Sequence, residues 1–157
     1  MSWSEADEVS FRRKVLKTSA PAPVLLVRLA VGAIFLSEGA QKFLFPSELG
    51  AGRFAKIGIP APDALAPFVG AVEIVCGLLI LFGLLTRLAA VPLVFDMLVA
   101  ISTTKIPLLL KSGFWAAAHE ARVDFAMLLG LLFLLAAGAG PLSADARLSS
   151  EPHARDA

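Results

Sequence analysis

The stretch RLAVGAIFLSEGAQKFLF, residues 28–45, decides the fold of this chain, because it is apolar enough to enter a lipid bilayer yet carries Arg28, Glu38, Gln41 and Lys42. A charged side chain costs about 2.5–3.5 kcal/mol at the centre of a transmembrane helix. These polar residues should therefore face away from lipid and meet partners on other helices. The segment predicts a bundle of membrane helices whose charges lie in its interior.

The composition of the whole chain indicates a membrane protein. Of its 157 residues, 57% are hydrophobic and 17% are charged, and the mean hydropathy is +0.78, whereas soluble proteins contain about 45–50% apolar residues. The formal net charge of +1 excludes a nucleic-acid-binding protein, because such proteins need a strong basic excess. The single cysteine, Cys76, excludes an internal disulfide and a CxxC redox pair.

Four apolar stretches are long enough to cross a bilayer core of about 30 Å, which takes about 20 helical residues. The turn from Gly83 to Arg87 is so short that the second and third stretches should form an antiparallel hairpin. Backbone groups in lipid must be hydrogen-bonded internally, and non-alternating runs of this length achieve that as helices. We therefore predict an all-α polytopic membrane protein, an antiparallel four-helix transmembrane bundle. The predicted spans are about 23–44, 65–85, 88–108 and 121–140.

The segments outside these spans are more polar. We predict a basic cytoplasmic juxtamembrane tail at residues 1–20, a membrane domain at 21–141 and a polar C-terminal tail at 142–157. Residues 111–122, KSGFWAAAHEAR, contain too many polar and small residues for a span. We expect this segment to be an interfacial loop with its aromatic residues at the level of the lipid headgroups.

The distribution of lysine and arginine predicts the orientation. If the N-terminus is inside, the inner segments hold seven of these cations, namely Arg12, Arg13, Lys14, Lys17, Arg87, Arg147 and Arg155. The outer loops hold three, Arg53, Lys56 and Lys111. Counting the span-edge residues Lys42, Lys105 and Arg122 as outer narrows the difference to seven against six. The positive-inside rule then places both termini in the cytoplasm.

Ionisable residues within or at the edges of the spans are four basic and four acidic: Arg28, Glu38, Lys42, Glu73, Asp96, Lys105, Arg122 and Asp124. A helical rise of about 1.5 Å per residue sorts them into two layers of depth. The predicted midplane or inner ion-pair layer contains Arg28, Glu73 and Asp96. The outer half holds the other five charged residues, Glu38, Lys42, Lys105, Arg122 and Asp124. The predicted outer polar pocket consists of Glu38, Gln41, Lys42, Arg122 and Asp124.

The two layers allow two interpretations. We expect Arg28 to reach a carboxylate of its own layer, Glu73 or Asp96, while Glu38 and Lys42, on one helix face, meet the two charged residues of the fourth span. In one interpretation these pairs only fix the register and orientation of the helices. In the other, the outer layer forms a polar pocket, open to the outer leaflet, for a headgroup-like or quinone-like ligand or for proton passage.

Small residues recur at a spacing of two helical turns. Gly32 and Gly39 lie seven residues apart in the first span, and Gly70, Ala71 and Gly77 lie in the second. Small residues in membrane helices allow backbones to approach closely. We therefore expect these residues to mark helix contacts.

Neither a metal site nor a catalytic residue can be identified from the sequence. His119 and Glu120 begin like a zinc-binding HExxH motif, but the second histidine is missing. His153 lies in the polar tail, so the spans offer no histidine pair for a haem within one chain. We expect no metal in this protein, and any electron carrier must be a partner or a mobile quinone.

The opening stretch and three later segments together are similar to a known family. These segments are the loop FAKIGIPAP, the helix FVGAVEIVCGLLILFGLLTRLAA and the stretch HEARVDFAMLLGLLFLLAAGAGPLSADA. The most telling residues are those of the first span, the second span and the turn that follows it: Arg28, Gly32, Phe35, Gly39, Lys42, Glu73, Gly77 and Gly83 to Arg87. Over about residues 25–146 the chain resembles the DoxX family of bacterial four-helix membrane proteins.

The resemblance implies a multi-pass protein of the bacterial cytoplasmic (inner) membrane with a link to oxidoreductase systems. Family members resemble the membrane subunit of a thiosulfate:quinone oxidoreductase or associate with thiol and superoxide stress enzymes. We therefore expect a non-catalytic or quinone-linked membrane subunit of a redox or oxidative-stress complex, with redox partner proteins or further copies of itself as partners.

Two other functions stay open on the sequence. One is a membrane scaffold or assembly factor without enzymatic activity, in which the ion pairs only hold the bundle together. The other is a small transporter or proton-conducting oligomer that uses Glu73 and Asp96.

Overall fold

The computed structural model describes residues 15–16 and 18–150, and the regular secondary structure in this part of the chain is helical. Most of the predicted N-terminal tail and the last residues of the predicted C-terminal tail, with His153, lie outside the described residues. The helices from residue 24 onward are α1 (Val24–Leu44), α2 (Ala51–Lys56), α3 (Pro62–Phe82), α4 (Thr86–Ala100), α5 (Ile106–Ser112), α6 (Phe114–Ala137) and α7 (Ala144–Ser150). A π-helical turn, Ile101–Lys105, joins α4 to α5.

Three helical segments are long and apolar enough to cross a membrane. They are α1 and α3, with 21 residues each, and the 27-residue segment Thr86–Ser112 formed by α4, the π-helical turn and α5. Helix α6 has 24 residues and carries Glu120, Arg122 and Asp124 in its first half. The chain is thus an all-helical membrane protein.

The prediction of an interfacial loop at residues 111–122 is wrong. Helix α5 continues to Ser112 and α6 begins at Phe114, so only Gly113 interrupts the helices. Gly113 has φ +80°, a backbone conformation that glycine adopts without steric cost. The segment that follows is rich in alanine, which has the highest helix propensity of all residue types. This favours a helix despite the polar neighbours.

Helices α1 and α3 pack against each other through two glycine pairs. A Cβ atom on Gly32 would lie 2.8 Å from the carbonyl oxygen of Gly77, and one on Gly39 would lie 2.6 Å from that of Gly70. Only glycine allows backbones to approach so closely. The predicted contacts of these glycines are confirmed. Because Gly32 faces Gly77 and Gly39 faces Gly70, the two helices run antiparallel.

Arg28 ties one end of the bundle together. Its side chain is 1% exposed, and its Nε and Nη2 donate hydrogen bonds to the carbonyl oxygens of Ile80 (2.9 Å) and Leu81 (2.6 Å) at the end of α3. Nη1 donates to the carbonyl oxygens of Ala139 (3.2 Å) and Leu142 (2.7 Å), beyond the end of α6. A cation at a helix C-terminus also interacts favourably with the helix dipole.

The expected pairing of Arg28 with Glu73 or Asp96 is therefore wrong. Arg28 lies four residues before Gly32, which faces Gly77, so Arg28 is level with the last turn of α3 and not with its middle. Arg28 interacts electrostatically with the carboxylate of Asp145, the second residue of α7.

Asp145 caps the start of α4. Its Oδ1 accepts a hydrogen bond from the amide of Leu85 (2.7 Å) and its Oδ2 accepts one from the amide of Thr86 (3.0 Å). Amide groups at a helix N-terminus have no partner within the helix. A carboxylate there also interacts favourably with the positive end of the helix dipole. Arg28 and Asp145 thus fix the α3–α4 turn from both sides.

Both ends of the described chain lie at this end of the bundle. The amide of Ser19 donates a hydrogen bond to the carbonyl oxygen of Ala137 (3.0 Å), and the amide of Gly140 donates one to Thr18 Oγ1. We call this the Arg28 end. The opposite end, where α1 finishes, is the Lys42 end.

Candidate functional site

A cavity of about 640 Å³ lies toward the Lys42 end. Its volume falls in the range of about 300–1,000 Å³ that is usual for small-molecule sites. Most of its lining side chains are apolar, and they come from α1, α2, α3, α4, the π-helical turn and α6. The charged residues that line it are Glu38, Lys42, Arg53, Glu73, Asp96, Lys105, Glu120 and Asp124.

The arrangement of α1 and α6 makes room for this cavity. Toward the Arg28 end the two helices are in contact, because a Cβ atom on Gly130 of α6 would lie 2.8 Å from Val31 Cγ2 of α1. Nearer the Lys42 end, Glu38 of α1 and Val123 of α6 both line the cavity. The small residue in α6 thus brings the helices together at one end and leaves the cavity between them at the other.

The most buried charges in the cavity belong to a cluster of one lysine and two carboxyl groups. Lys42 Nζ lies 2.6 Å from Glu73 Oε2, and the two side chains are 11% and 3% exposed. Asp96 and Glu38 line the same cavity and lie close enough to interact electrostatically with this pair. The ammonium group of Lys42 therefore interacts electrostatically with several carboxyl groups.

Lys42 reaches this cluster by extending along the bundle axis. Its Cβ lies 3.3 Å from the position of a Cβ on Gly70, which is three residues, or about 4.5 Å of helical rise, from Glu73. A lysine near the end of a membrane helix usually extends toward the interface. Here the ammonium group turns toward the middle of α3, because Glu73 is its partner.

A second ion pair lies in the same cavity. Lys105 Nζ lies 3.3 Å from Asp124 Oδ2, and the side chains are 16% and 21% exposed. This pair joins the π-helical turn to α6, whereas the Lys42–Glu73 pair joins α1 to α3. Each pair therefore links a membrane segment to the next long helix of the chain.

The structure divides the residues of the predicted outer pocket. Glu38, Lys42 and Asp124 line the cavity. The expected contacts of Glu38 and Lys42 with Asp124 and Arg122 are replaced by other ion pairs. Lys42 pairs with Glu73, and Asp124 pairs with another lysine. Glu73 and its neighbour Asp96, predicted for the inner layer, thus share the cavity with the outer set.

Two predicted pocket residues lie away from the cavity lining. Gln41 Nε2 donates to the carbonyl oxygen (3.2 Å) and the hydroxyl oxygen (2.9 Å) of Ser37, one turn earlier on an exposed face of α1. Arg122 is exposed, and its Nη1 donates to the carbonyl oxygen of His119 at 2.6 Å. Arg28, predicted for the inner layer, lies at the opposite end of the bundle.

Three charged cavity residues were not predicted as site residues: Arg53, Lys105 and Glu120. A sequence signal for Lys105 does exist, since it follows the hydroxyl residues Ser102, Thr103 and Thr104 inside an apolar span. Such residues can bond back to the preceding turn and change the helix geometry. Arg53 and Glu120 lie in segments that were predicted as loops, so their positions depend on tertiary structure.

Comparison with known proteins assigns the family. The DoxX family model matches residues 24–106. The chain is 54% identical over 142 residues to the "Uncharacterized membrane protein Rv3486" of Mycobacterium tuberculosis, covering 87% of each chain. It is 33% identical over 121 residues to the "Putative oxidoreductase CatD" of Bacillus subtilis, covering 77% of this chain and 83% of that one. No solved structure is a significant match. The protein therefore belongs to the DoxX family of membrane proteins.

Proposed function

We propose that this protein is a membrane subunit of a quinone-linked redox or oxidative-stress system, and that the cavity near the Lys42 end binds the head of a lipophilic quinone. The observation that carries the proposal is the make-up of this cavity, in which apolar walls surround two lysine–carboxylate pairs. A quinone head needs apolar surface for its ring and hydrogen-bond donors for its carbonyl oxygens. The relative named as an oxidoreductase supports a redox role.

Aromatic side chains suit this ligand and its route of entry. Phe35 and Phe54 are buried in the cavity wall, while Phe68 of α3 and Phe95 of α4 line the cavity and are also 64% and 69% exposed. The cavity thus extends to the lipid-facing surface beside these two rings. A hydrophobic tail can leave the cavity there and stay in the bilayer.

The residues of the cavity supply binding and a place for a proton. A bound quinone accepts electrons and protons. Lysine ammonium groups donate hydrogen bonds to its oxygens. Glu73 and Asp96 both line the cavity, and a protonated carboxyl group can donate a hydrogen bond or a proton to a ligand oxygen. These two groups are the proton carriers of the proposal.

In the proposal, α6 is the fourth membrane crossing and completes a four-helix bundle. Its length of 24 residues suffices for a span, and it pairs with the preceding span at both ends, through Lys105–Asp124 and through Arg87, which donates to the carbonyl oxygen of Ala136. Both ends of the described chain lie at the Arg28 end, as an even number of crossings requires. The Arg28 end then faces the cytoplasm, and the membrane is the bacterial inner membrane.

The test is quinone binding by cavity variants of the purified protein in lipid nanodiscs. Menaquinone-2 and ubiquinone-2 are the probes, and Glu38→Gln, Lys42→Gln and Asp124→Asn are the variants. We expect each to weaken binding of at least one probe. Gln41→Ala and Arg122→Ala, which change residues outside the cavity lining, serve as matched controls and should bind like the wild type. Failure of the wild type to bind either probe, or wild-type binding by all three folded cavity variants, overturns the proposal.

A scaffold without enzymatic activity is the competing function, and the position of the ion pairs favours it. Each pair links two separate helices, so each can serve bundle stability alone. This function predicts that the exchange Lys105→Asp with Asp124→Lys restores folding and cellular function together. Under the quinone proposal, the exchange restores folding but leaves quinone binding impaired.

A further inference from the structure

The π-helical turn Ile101–Lys105 presents polar residues to the cavity. The hydroxyl groups of Ser102, Thr103 and Thr104 donate hydrogen bonds to the carbonyl oxygens of Leu98, Val99 and Ala100, at 2.6, 2.8 and 2.6 Å respectively. A π-helical turn widens the helix and is frequent at functional sites. Threonines 103 and 104 line the cavity, but their hydroxyl hydrogens are already used by these backbone carbonyls. Lys105 is therefore the donor that this turn offers to a ligand.

Lys105 is held less tightly than Lys42. The Lys42–Glu73 pair has an N–O distance of 2.6 Å and a carboxylate that is 3% exposed, so it is a short and buried ion pair. The Lys105–Asp124 distance of 3.3 Å is longer than the usual 2.7–2.9 Å of charge-assisted hydrogen bonds, and both side chains are more exposed. A ligand oxygen can thus approach the Lys105 ammonium without displacing a buried carboxylate.

We propose that Lys105 binds the polar head of the ligand by donating a hydrogen bond to one of its carbonyl oxygens, while Asp124 keeps the lysine in place. The inference rests on the proposed function and makes it specific. The ligand class is a lipophilic molecule whose ring carries an acceptor oxygen. Lys105, rather than Lys42, distinguishes this molecule from a hydrocarbon of the same shape.

The test compares two probes on the full-length protein in lipid nanodiscs, by equilibrium binding. Menaquinone-2 carries the ring oxygens, and a naphthalene with the same isoprenoid tail lacks them. Glutamine keeps an amide donor but is neutral and one bond shorter than lysine, so it cannot form the same charge-assisted hydrogen bond. Loss of one hydrogen bond to a charged group weakens binding about 10- to 100-fold. We expect Lys105→Gln to weaken menaquinone-2 binding by this factor and to leave binding of the hydrocarbon unchanged. Lys105→Arg, which keeps the charge and the donors, should retain most of the affinity.

Lys111→Gln is the matched control, because Lys111 is an exposed lysine of α5 outside the cavity lining. This variant should bind both probes like the wild type. If Lys105→Gln binds menaquinone-2 like the wild type while Lys42→Gln does not, Lys105 is not the head-binding residue, and the proposed function stands. If Lys105→Gln weakens both probes equally, its role is structural and the inference is overturned. If the wild type does not bind menaquinone-2, both proposals fail.

Discussion

Replacement of Arg28 by methionine should destabilise the Arg28 end of the bundle more than any other single loss of charge. Methionine keeps much of the apolar stem but removes the donors of four hydrogen bonds, to the carbonyl oxygens of Ile80, Leu81, Ala139 and Leu142. The α3 terminus and the segment after α6 then lose their common partner. Asp145 also loses its electrostatic interaction with Arg28.

The structure bounds the size of this effect. A hydrogen bond to a charged group contributes about 1.5–3 kcal/mol in soluble proteins, whereas hydrogen bonds between membrane helices average about 0.6 kcal/mol. Two of the four bonds are buried and two are partly buried, so water can hydrate some of the carbonyl groups that are left. Methionine also avoids the cost of burying a cation. We expect a loss of about 3–5 kcal/mol in the free energy of unfolding.

The assay is unfolding by sodium dodecyl sulfate in mixed micelles, followed by the helical circular dichroism signal. Hydrogen exchange gives the local measurement, and it should rise first at residues 139–145 in the variant. Arg87→Met is the matched control, because Arg87 donates one exposed hydrogen bond, to the carbonyl oxygen of Ala136. Equal unfolding free energies for the Arg28 and Arg87 variants, with unchanged exchange at residues 139–145, would show that Arg28 does not hold these segments together.

Three further predictions use the same unfolding assay. Gly39→Ala should cost about 1–3 kcal/mol, because the new methyl group would lie 2.6 Å from the carbonyl oxygen of its partner glycine, whereas Ala33→Leu on the exposed face of α1 should be nearly neutral. Lys42→Met should cost about 3–5 kcal/mol by leaving buried carboxyl groups without a cation. The double variant Lys42→Met/Glu73→Gln should be more stable than Lys42→Met alone. A less stable double variant would show that the unpaired carboxylate is not the cause of the loss. Asp145→Ala should cost about 1–2 kcal/mol through loss of the α4 cap and raise hydrogen exchange in the first turn of α4. Unchanged exchange there would show that Asp145 is not the cap.

The sequence predicted the helical membrane architecture because the signals are local. A run of about 20 apolar residues requires a helix in lipid, and the cost of buried charge turns Lys42 and Glu73 toward the interior. The helix contacts of the glycines were predictable from a local signal too, because Gly32 and Gly39 lie on one face of a single helix. Their partners Gly70 and Gly77 have the same spacing, so the register of the two helices could be read from the pairs.

The pairing of the charges could not be predicted, because it depends on contacts between distant segments. Arg28 donates hydrogen bonds to Ala139 and Leu142, which are more than 100 residues away in sequence. Its partners are backbone carbonyl groups, which every residue has, so the side-chain pattern of the sequence cannot identify them. Depth calculated from span midpoints also cannot show which way a long side chain extends, and Lys42 extends about one turn along the axis to reach Glu73.

The segment at residues 111–122 shows a different limit. Polar residues and Gly113 indicated a loop, but alanines have strong helix propensity and no polar group that competes for backbone hydrogen bonds. The longer helix α6 brings Glu120 to the cavity. One charged residue of the site was thus missed because a helix began earlier than its hydrophobic pattern did.

The central claim is that the cavity near Lys42 holds a lipophilic quinone in the native membrane. Native mass spectrometry of the protein released gently from its own membranes tests it most directly, because it identifies the small molecules and polypeptides that leave with the chain. We expect a retained quinone that is present in wild-type protein and lost from the Lys105→Gln variant. A protein that carries only ordinary phospholipid, alone or as a homo-oligomer, would contradict it.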